Sequence, residues 1–143
     1  MTLTEHQYVA LTLWGETRGE PLIGKIAVAC VIRNRLSPRW PTYRAVCLAP
    51  WQFSCWKPEG GAANHAALMA LADRVATGDE GPPVYRECLW IAEGMIDGRL
   101  RDITKGATHY YAPHAMRPRG KVPKWAVNQI PVAEVGSHVF YRL

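Results

Sequence analysis

Residues 11–24 read LTLWGETRGEPLIG, and the setting of the two acids in this stretch decides how the chain folds. Glu16 and Glu20 stand between an apolar run and Pro21. Upstream, Ala10, Leu13, Trp14 and Thr17 fall on one helical face, and Thr4 and Gln7 have capping-box spacing, so the pattern predicts a helix over about Glu5 to Glu16. Gly15, Gly19 and Pro21 weaken and stop it. Downstream, IAVACVI is apolar on every side, which marks a central buried helix over about Ile23 to Leu36. Glu16 therefore ends one helix, where a carboxylate meets the negative pole of the helix dipole against apolar neighbours. Both effects disfavour its charged form, as a general acid requires. The competing reading is an exposed Glu16 paired with Arg18 or Lys25. Glu20, just before Pro21, reads as a structural cap for the second helix.

The rest of the chain supports a mostly helical domain. A stretch rich in Pro and Trp, about Ser37 to Gly61, lacks regular periodicity and has the length that often carries function. Leu68, Leu71, Ala72 and Val75 predict a helix over about Asn64 to Ala76. Cys88, Ile91, Ala92 and Met95 predict another over about Tyr85 to Asp97. "ATHYYAP" and "SHVFYRL" read as short strands, joined by a proline-rich loop. The expected fold class is α+β, mostly α: one domain over residues 1–143 with a small antiparallel β element. Trp14 and Trp90 are expected in the core.

Composition narrows the function. The chain has 143 residues and a net charge of +5, from 17 Lys and Arg against 12 acids. From Lys105 to Lys124 there are five basic residues and no acid. Such a surface favours polyanions: nucleic acid, anionic membrane or bacterial wall polymer. No apolar stretch approaches the roughly 20 residues of a membrane helix. The N-terminus has no basic region ahead of apolar residues, so no secretory signal is expected. The cysteines, Cys30, Cys47, Cys55 and Cys88, form no CxxC pair. Cys30 and Cys88 read as small buried hydrophobes.

Five blocks carry a family resemblance: LWGETRGEPLIGKIAVACVIRNR, VCLAPWQFSCW, GATHYYAP, PKWAV and VGSHVFYRL. In this order, with small departures at Gly15 and Thr17, they resemble the SleB-like cell wall hydrolases, which comprise spore cortex-lytic enzymes and related phage endolysins. The resemblance implies a lysozyme-like fold akin to the lytic transglycosylases and resuscitation-promoting factors. It implies peptidoglycan as substrate, cut between N-acetylmuramic acid and N-acetylglucosamine, and it places the catalytic acid at Glu16.

Glycoside cleavage usually needs two carboxyl groups. No partner motif for Glu16 is visible, but one acid suffices if the muramic 6-hydroxyl is the nucleophile. The expected chemistry is then lytic transglycosylation, with no metal or other cofactor, and hydrolytic muramidase action if water replaces that hydroxyl. Gln52, Phe53 and Ser54 are expected to line the groove, with Gln52 and Ser54 bonding acetamido groups. Strand alternation places Thr108 and Tyr110 on the groove side and leaves His109 and Tyr111 in the core or at an edge. Trp125 suits a sugar face.

Rival readings are a zinc amidase using some of His65, His109, His114 and His138, and a non-catalytic basic module binding wall or nucleic acid. Neither a HExxH motif nor a nucleic-acid motif is present. The expected partner is the glycan strand, with no nucleic acid and no membrane insertion, and the protein is expected to be a monomer. A lone catalytic domain without a signal suits a phage or prophage endolysin, made in the host cytoplasm and released to the periplasm and wall.

Overall fold

The computed structural model describes residues 2–143. Its helices are α1 (Glu5–Thr17), α2 (Leu22–Asn34), α3 (Tyr43–Cys47), α4 (Ala62–Ala76) and α5 (Pro83–Ile96). Its strands are β1 (His109–Tyr111), β2 (Ala133–Val135) and β3 (His138–Tyr141), which form one antiparallel sheet in the order β1-β3-β2. The architecture is the expected mostly helical α+β domain.

α1 begins where its capping residues say it should. The Thr4 hydroxyl accepts from Gln7 N at 3.1 Å, and Gln7 Oε1 accepts from Thr4 N at 2.8 Å. α1 packs most extensively on α5 and also touches α2, α3 and α4. α2 is enclosed, with every side chain from Ala27 to Ile32 wholly buried. Burying one large aliphatic side chain contributes about 1.5–3 kcal/mol, so this apolar run anchors the core. The apolar faces predicted for α4 and α5 are the buried ones: Leu68, Leu71, Ala72 and Val75, then Cys88, Ile91, Ala92 and Met95.

Three expectations need correction. The stretch from Ser37 to Gly61 is not wholly irregular. It holds α3 and two single 3₁₀ turns, Ser54–Trp56 and Pro58–Gly60. α3 is too short to show a period. Its N-terminus is held by Thr42 and, from across the fold, by the Glu5 carboxylate, which accepts from Tyr43 N at 2.7 Å and Arg44 N at 3.1 Å. Trp90 is 46% exposed, with the Arg99 guanidinium 4.6 Å above its ring, whereas Trp14 is half-buried against the core. Glu20 makes no cap on α2, whose N-cap is Pro21. Its carboxylate instead accepts from the backbone N and the hydroxyl of Ser137, in the turn joining β2 to β3. Gly136 has φ 58° in that turn, and a side chain there would lie 2.9 Å from the Glu20 carboxylate. Glu20 is structural, but its task is to fasten the hairpin to the start of α2.

The β1 end of the sheet is fastened to the far end of α2. Asn34 Nδ2 donates to Asp102 Oδ2 and to Ala107 O, each at 2.9 Å. Asp102 also accepts from Thr104 and Gly106. Burial alone would raise its pKa, but these hydrogen bonds outweigh burial and hold it at about 2. This node sets β1 beside the C-terminus of α1.

Candidate active site

Glu16 lies in the last turn of α1, facing the turn Ser54–Trp56. That turn can approach closely because residue 15 is glycine: a Cβ at Gly15 would meet Cys55 Cβ and Sγ at 2.7 Å. Polar contacts lock the approach. Trp56 Nε1 donates to Thr12 Oγ1 at 2.8 Å, Asn64 Nδ2 donates to Gly15 O at 3.1 Å, and His65 Nδ1 lies 3.2 Å from Cys55 O. Glu16 Oε1 then accepts from Cys55 N at 3.5 Å.

Burial pushes the Glu16 pKa above the ordinary glutamate value, although the Cys55 amide and thiol and the Ser54 amide partly oppose it. The protonated form is thereby favoured towards neutral pH, as the position at a helix C-terminus against apolar walls predicts. Neither Arg18 nor Lys25 pairs with it. Arg18 stacks on Trp14 at 4.1 Å, and the buried Lys25 ammonium meets Glu87 at 2.7 Å.

Glu16 opens into a cleft of about 290 Å³. One wall is Trp51, Gln52, Phe53 and Ser54; the other is His109, Tyr110 and Trp125, with Arg35 between them. Gln52 and Ser54 are exposed, and the buried Phe53 ring lies under the Arg35 guanidinium at 5.0 Å. Of the residues named from the sequence, Glu16, Gln52, Phe53, Ser54, Tyr110 and Trp125 meet here. Thr108 does not. Its hydroxyl accepts from Leu143 N at 3.1 Å and lies 2.9 Å from His109 Nδ1. Only its carbonyl reaches towards the cleft, accepting from Arg35 Nε at 2.6 Å.

His109, expected in the core or at an edge, lies at the sheet edge and also lines the cleft. β1 is an edge strand, and both His109 and Tyr110 border the cleft although their side chains point to opposite faces. Tyr110 turns inward, edge-on to His138 at 5.0 Å and beside Phe140 at 5.7 Å. His109 and Tyr111 turn outward under Trp125, at 5.1 and 5.9 Å, and Tyr111 stacks on Tyr141 at 6.1 Å. Burial and the Arg35 charge both push the His109 pKa down, so its imidazole is neutral at pH 7. Burial, reinforced by the Glu16 charge, pushes the Tyr110 hydroxyl up, so it remains a proton-bearing donor.

Arg35 and Trp51 were missed by sequence reasoning. Arg35 follows the apolar run of α2 as an apparent surface residue, and nothing in its spacing tells it from Arg33. Trp51 is 95% exposed and has φ 64°, a left-handed conformation rare for an aromatic residue. The signal for Trp51 was only its place beside Gln52.

A larger hollow of about 930 Å³ lies across the Trp51–Ser54 segment, lined by Trp56, Pro58 and His65 among others. Its carboxyl is the exposed Glu59. Size does not make it the reaction centre; the enclosed, pKa-shifted acid lies in the smaller cleft. The two hollows share Trp51, Gln52, Phe53 and Ser54, so an extended chain crossing that segment would touch both. Glu16 is the one carboxyl lining the 290 Å³ cleft. Glu20 is engaged elsewhere and stays ionised: burial would raise its pKa, but the Ser137 hydrogen bonds and His138 lower it. Among the described residues, no three His, Cys, Asp or Glu side chains group to hold one metal ion. All four cysteines are free and buried. No helix among the described residues is long and apolar enough to cross a membrane.

Comparison with known proteins finds relatives that span nearly the whole of this chain. The spore cortex-lytic enzyme of Halalkalibacterium halodurans is 29% identical over 136 residues, covering 94% of this chain and 33% of the relative. That of Bacillus cereus is 27% identical over 138 residues, covering 95% of this chain and 43% of the relative. The chain thus spans less than half the length of these curated relatives. Among solved structures, the catalytic domain of the germination-specific lytic transglycosylase SleB from Bacillus anthracis superposes with a TM-score of 0.62 at 26% identity, covering 99% of this chain and 97% of that one. The catalytic domain of the Bacillus cereus SleB protein superposes with a TM-score of 0.61, covering 96% and 89%. The family model begins to match just after Glu16, so the role of that residue rests on its position in the cleft. Residues 19–141 match the cell wall hydrolase model, and the chain belongs to that SleB-like family.

Proposed function

We propose that this chain is a lytic transglycosylase domain that cleaves peptidoglycan between N-acetylmuramic acid and N-acetylglucosamine, with Glu16 as both acid and base. The observation that carries the proposal is the lone carboxyl in the cleft, its pKa raised by burial. Protonated Glu16 gives its proton to the glycosidic oxygen as the bond to muramic C1 breaks. The resulting carboxylate then takes the proton of the 6-hydroxyl on the same sugar as that oxygen bonds to C1. The product is a 1,6-anhydro sugar, and Glu16 is again protonated. The Tyr110 hydroxyl, Gln52 and Ser54 supply hydrogen bonds along the cleft, and Trp125 and Trp51 offer aromatic faces to sugar rings.

Mass spectrometry of digested peptidoglycan tests this reading. Anhydromuramyl ends are expected. Reducing muramic ends would instead mean a muramidase, and freed stem peptides an amidase. Glu16→Gln should lower turnover by at least about 10²–10⁴-fold, the range for losing a general acid, with the fold intact. Full wall clearing by that variant would exclude both the mechanism and the site.

The biological setting that we propose is phage or prophage lysis, by a monomer released from the host cytoplasm to the wall. The exposed, acid-free basic loop around Arg117, Arg119, Lys121 and Lys124 suits approach to an anionic envelope. Cytoplasmic expression should lyse cells only when the inner membrane is permeabilised. Lysis without permeabilisation would refute this setting.

A further inference from the structure

We propose that Arg35 reads the 3-O-lactyl arm of the muramic acid residue, and that a small cavity behind the catalytic cleft receives that arm. The proposal rests on the glycan-cleaving reading above and adds what sets the enzyme's sugar preference.

Arg35 follows directly on α2 and holds a cation that the protein does not complete. Its Nε donates to Thr108 O at 2.6 Å, and the Phe53 ring lies 5.0 Å from the guanidinium carbon. Nη1 is enclosed and has no acceptor. Among the described residues, no carboxylate forms an ion pair with Arg35. The ionisable groups nearest its charge are neutral: the Tyr110 hydroxyl and the Cys47 thiol, the latter pushed up to about 12 by burial. Enclosed donors normally have partners, and a guanidinium left without one is costly. Nη1 itself is closed off, so a substrate oxygen arriving in the cleft would meet the part of the guanidinium that borders the cleft and compensate the uncompleted cation there.

The surroundings say which part of a substrate arrives. Arg35 borders the 290 Å³ cleft that holds Glu16 and also a separate cavity of about 150 Å³ walled by Trp40, Val46 and Ala49. Gln52 and His109 line both spaces. A group branching from a sugar at the scissile bond could therefore turn past Arg35 into an apolar-walled recess. That group should present oxygen acceptors to the cation and an apolar carbon to the recess. The lactyl ether of muramic acid does so with its ether and carbonyl oxygens and its methyl. The acetamide shared by both wall sugars also offers a carbonyl oxygen and a methyl, so a ligand that carries only acetamides is the control that separates the two groups.

Binding measurements separate the alternatives without needing turnover. In a Glu16→Gln background, a muramic-acid-containing glycan tetrasaccharide and chitotetraose are titrated by tryptophan fluorescence. Arg35→Met should weaken the muramic ligand by about 10–100-fold, the loss expected for a hydrogen bond to a charged group, and leave chitotetraose unchanged. Ala49→Leu, which fills the recess without touching the charge, should act in the same direction. Each variant is melted first, and Ala49→Leu decides the matter if Arg35→Met does not fold. On active enzyme the loss should appear in KM rather than kcat. Equal weakening of both ligands, or no weakening of the muramic ligand, would overturn the assignment. A wild-type protein that binds both ligands yet never cleaves peptidoglycan would instead sink the catalytic reading and leave the Arg35 result standing.

Discussion

Gly15→Ala sets two effects against each other at the catalytic turn. In a helix interior, alanine is favoured over glycine by about 1 kcal/mol. Against this, the new Cβ would sit 2.7 Å from Cys55 Cβ and Sγ. The sulfur can rotate away, but the Cβ moves only with its backbone. Ordinary carbon contacts begin near 3.5 Å, so the turn Ser54–Trp56 must retreat by roughly 1 Å. Overpacking of this kind costs about 1–3 kcal/mol, so the net effect is a loss of about 0–2 kcal/mol. At about 2–4 °C of melting temperature per kcal/mol for a domain slightly larger than this one, the fall should be several degrees at most. Activity should suffer more. The Cys55 N–H is already 3.5 Å from Glu16 Oε1, and the displaced segment also carries Gln52, Phe53 and Ser54. A misplacement of about 1 Å can cost 10²-fold in rate, so kcat/KM on peptidoglycan should fall by about 10–100-fold. Losing an N–H that favours the carboxylate should also raise the Glu16 pKa further and shift the pH–rate profile upward. Thermal melts and turbidity clearing across pH are the assays. A variant that melts higher by the full propensity gain, and clears wall at the wild-type rate, would show that the close approach at residue 15 does not hold the site.

Three other outcomes follow from the buried charges. Glu16 has a raised folded pKa, so its favourable contribution is complete below the unfolded value near 4.5 and is lost as pH rises through the folded value. Glu16→Gln should therefore melt above wild type at pH 7 and match it at pH 4; equal melting at both would contradict a buried acid. Asp102 has its pKa depressed to about 2 from 3.8, so Asp102→Asn should cost about 2 kcal/mol at pH 7, and the gap should narrow as pH falls from about 4 to 2 in denaturant titrations. Glu87→Ala should destabilise by about 1–3 kcal/mol by leaving the buried Lys25 ammonium unpaired, whereas Lys25→Met should be near neutral; the reverse order in urea melts would mean that the pair itself stabilises the fold.

The parts of this fold that the sequence reveals are those whose neighbours lie close in the chain. α2 was legible because its middle is apolar on every side, α1 because Thr4 and Gln7 cap it, and β3 because β-branched and aromatic residues gather at 138–141. Glu16 was legible because it stands in the last turn of a recognisable apolar helix. What the sequence hides depends on long-range partners. Glu20 precedes Pro21 and so resembles a helix cap, but its carboxylate is claimed by Ser137. α3 is stabilised in part by Glu5, remote in sequence. Arg35 has the spacing of a solvated helix end, and only the arrival of Phe53 and Thr108 encloses it.

The same division explains why the site forms where it does. α1 supplies the acid on a rigid element, packed on α5 and capped at its start. The segment around Ser54 is held to that element by Gly15, Trp56, Asn64 and His65, which come from three separate parts of the chain. β1 closes the other side because Asn34 and Asp102 fix its approach. The acid's place at a helix end can be read from sequence, although the burial that raises its pKa is completed by the walls around it. The cleft cannot, because each wall is positioned by a contact with an element distant in the chain. A loosened wall should therefore change sugar binding and turnover before it changes the melting temperature, which is the order expected when a loop segment is displaced from a packed helix core.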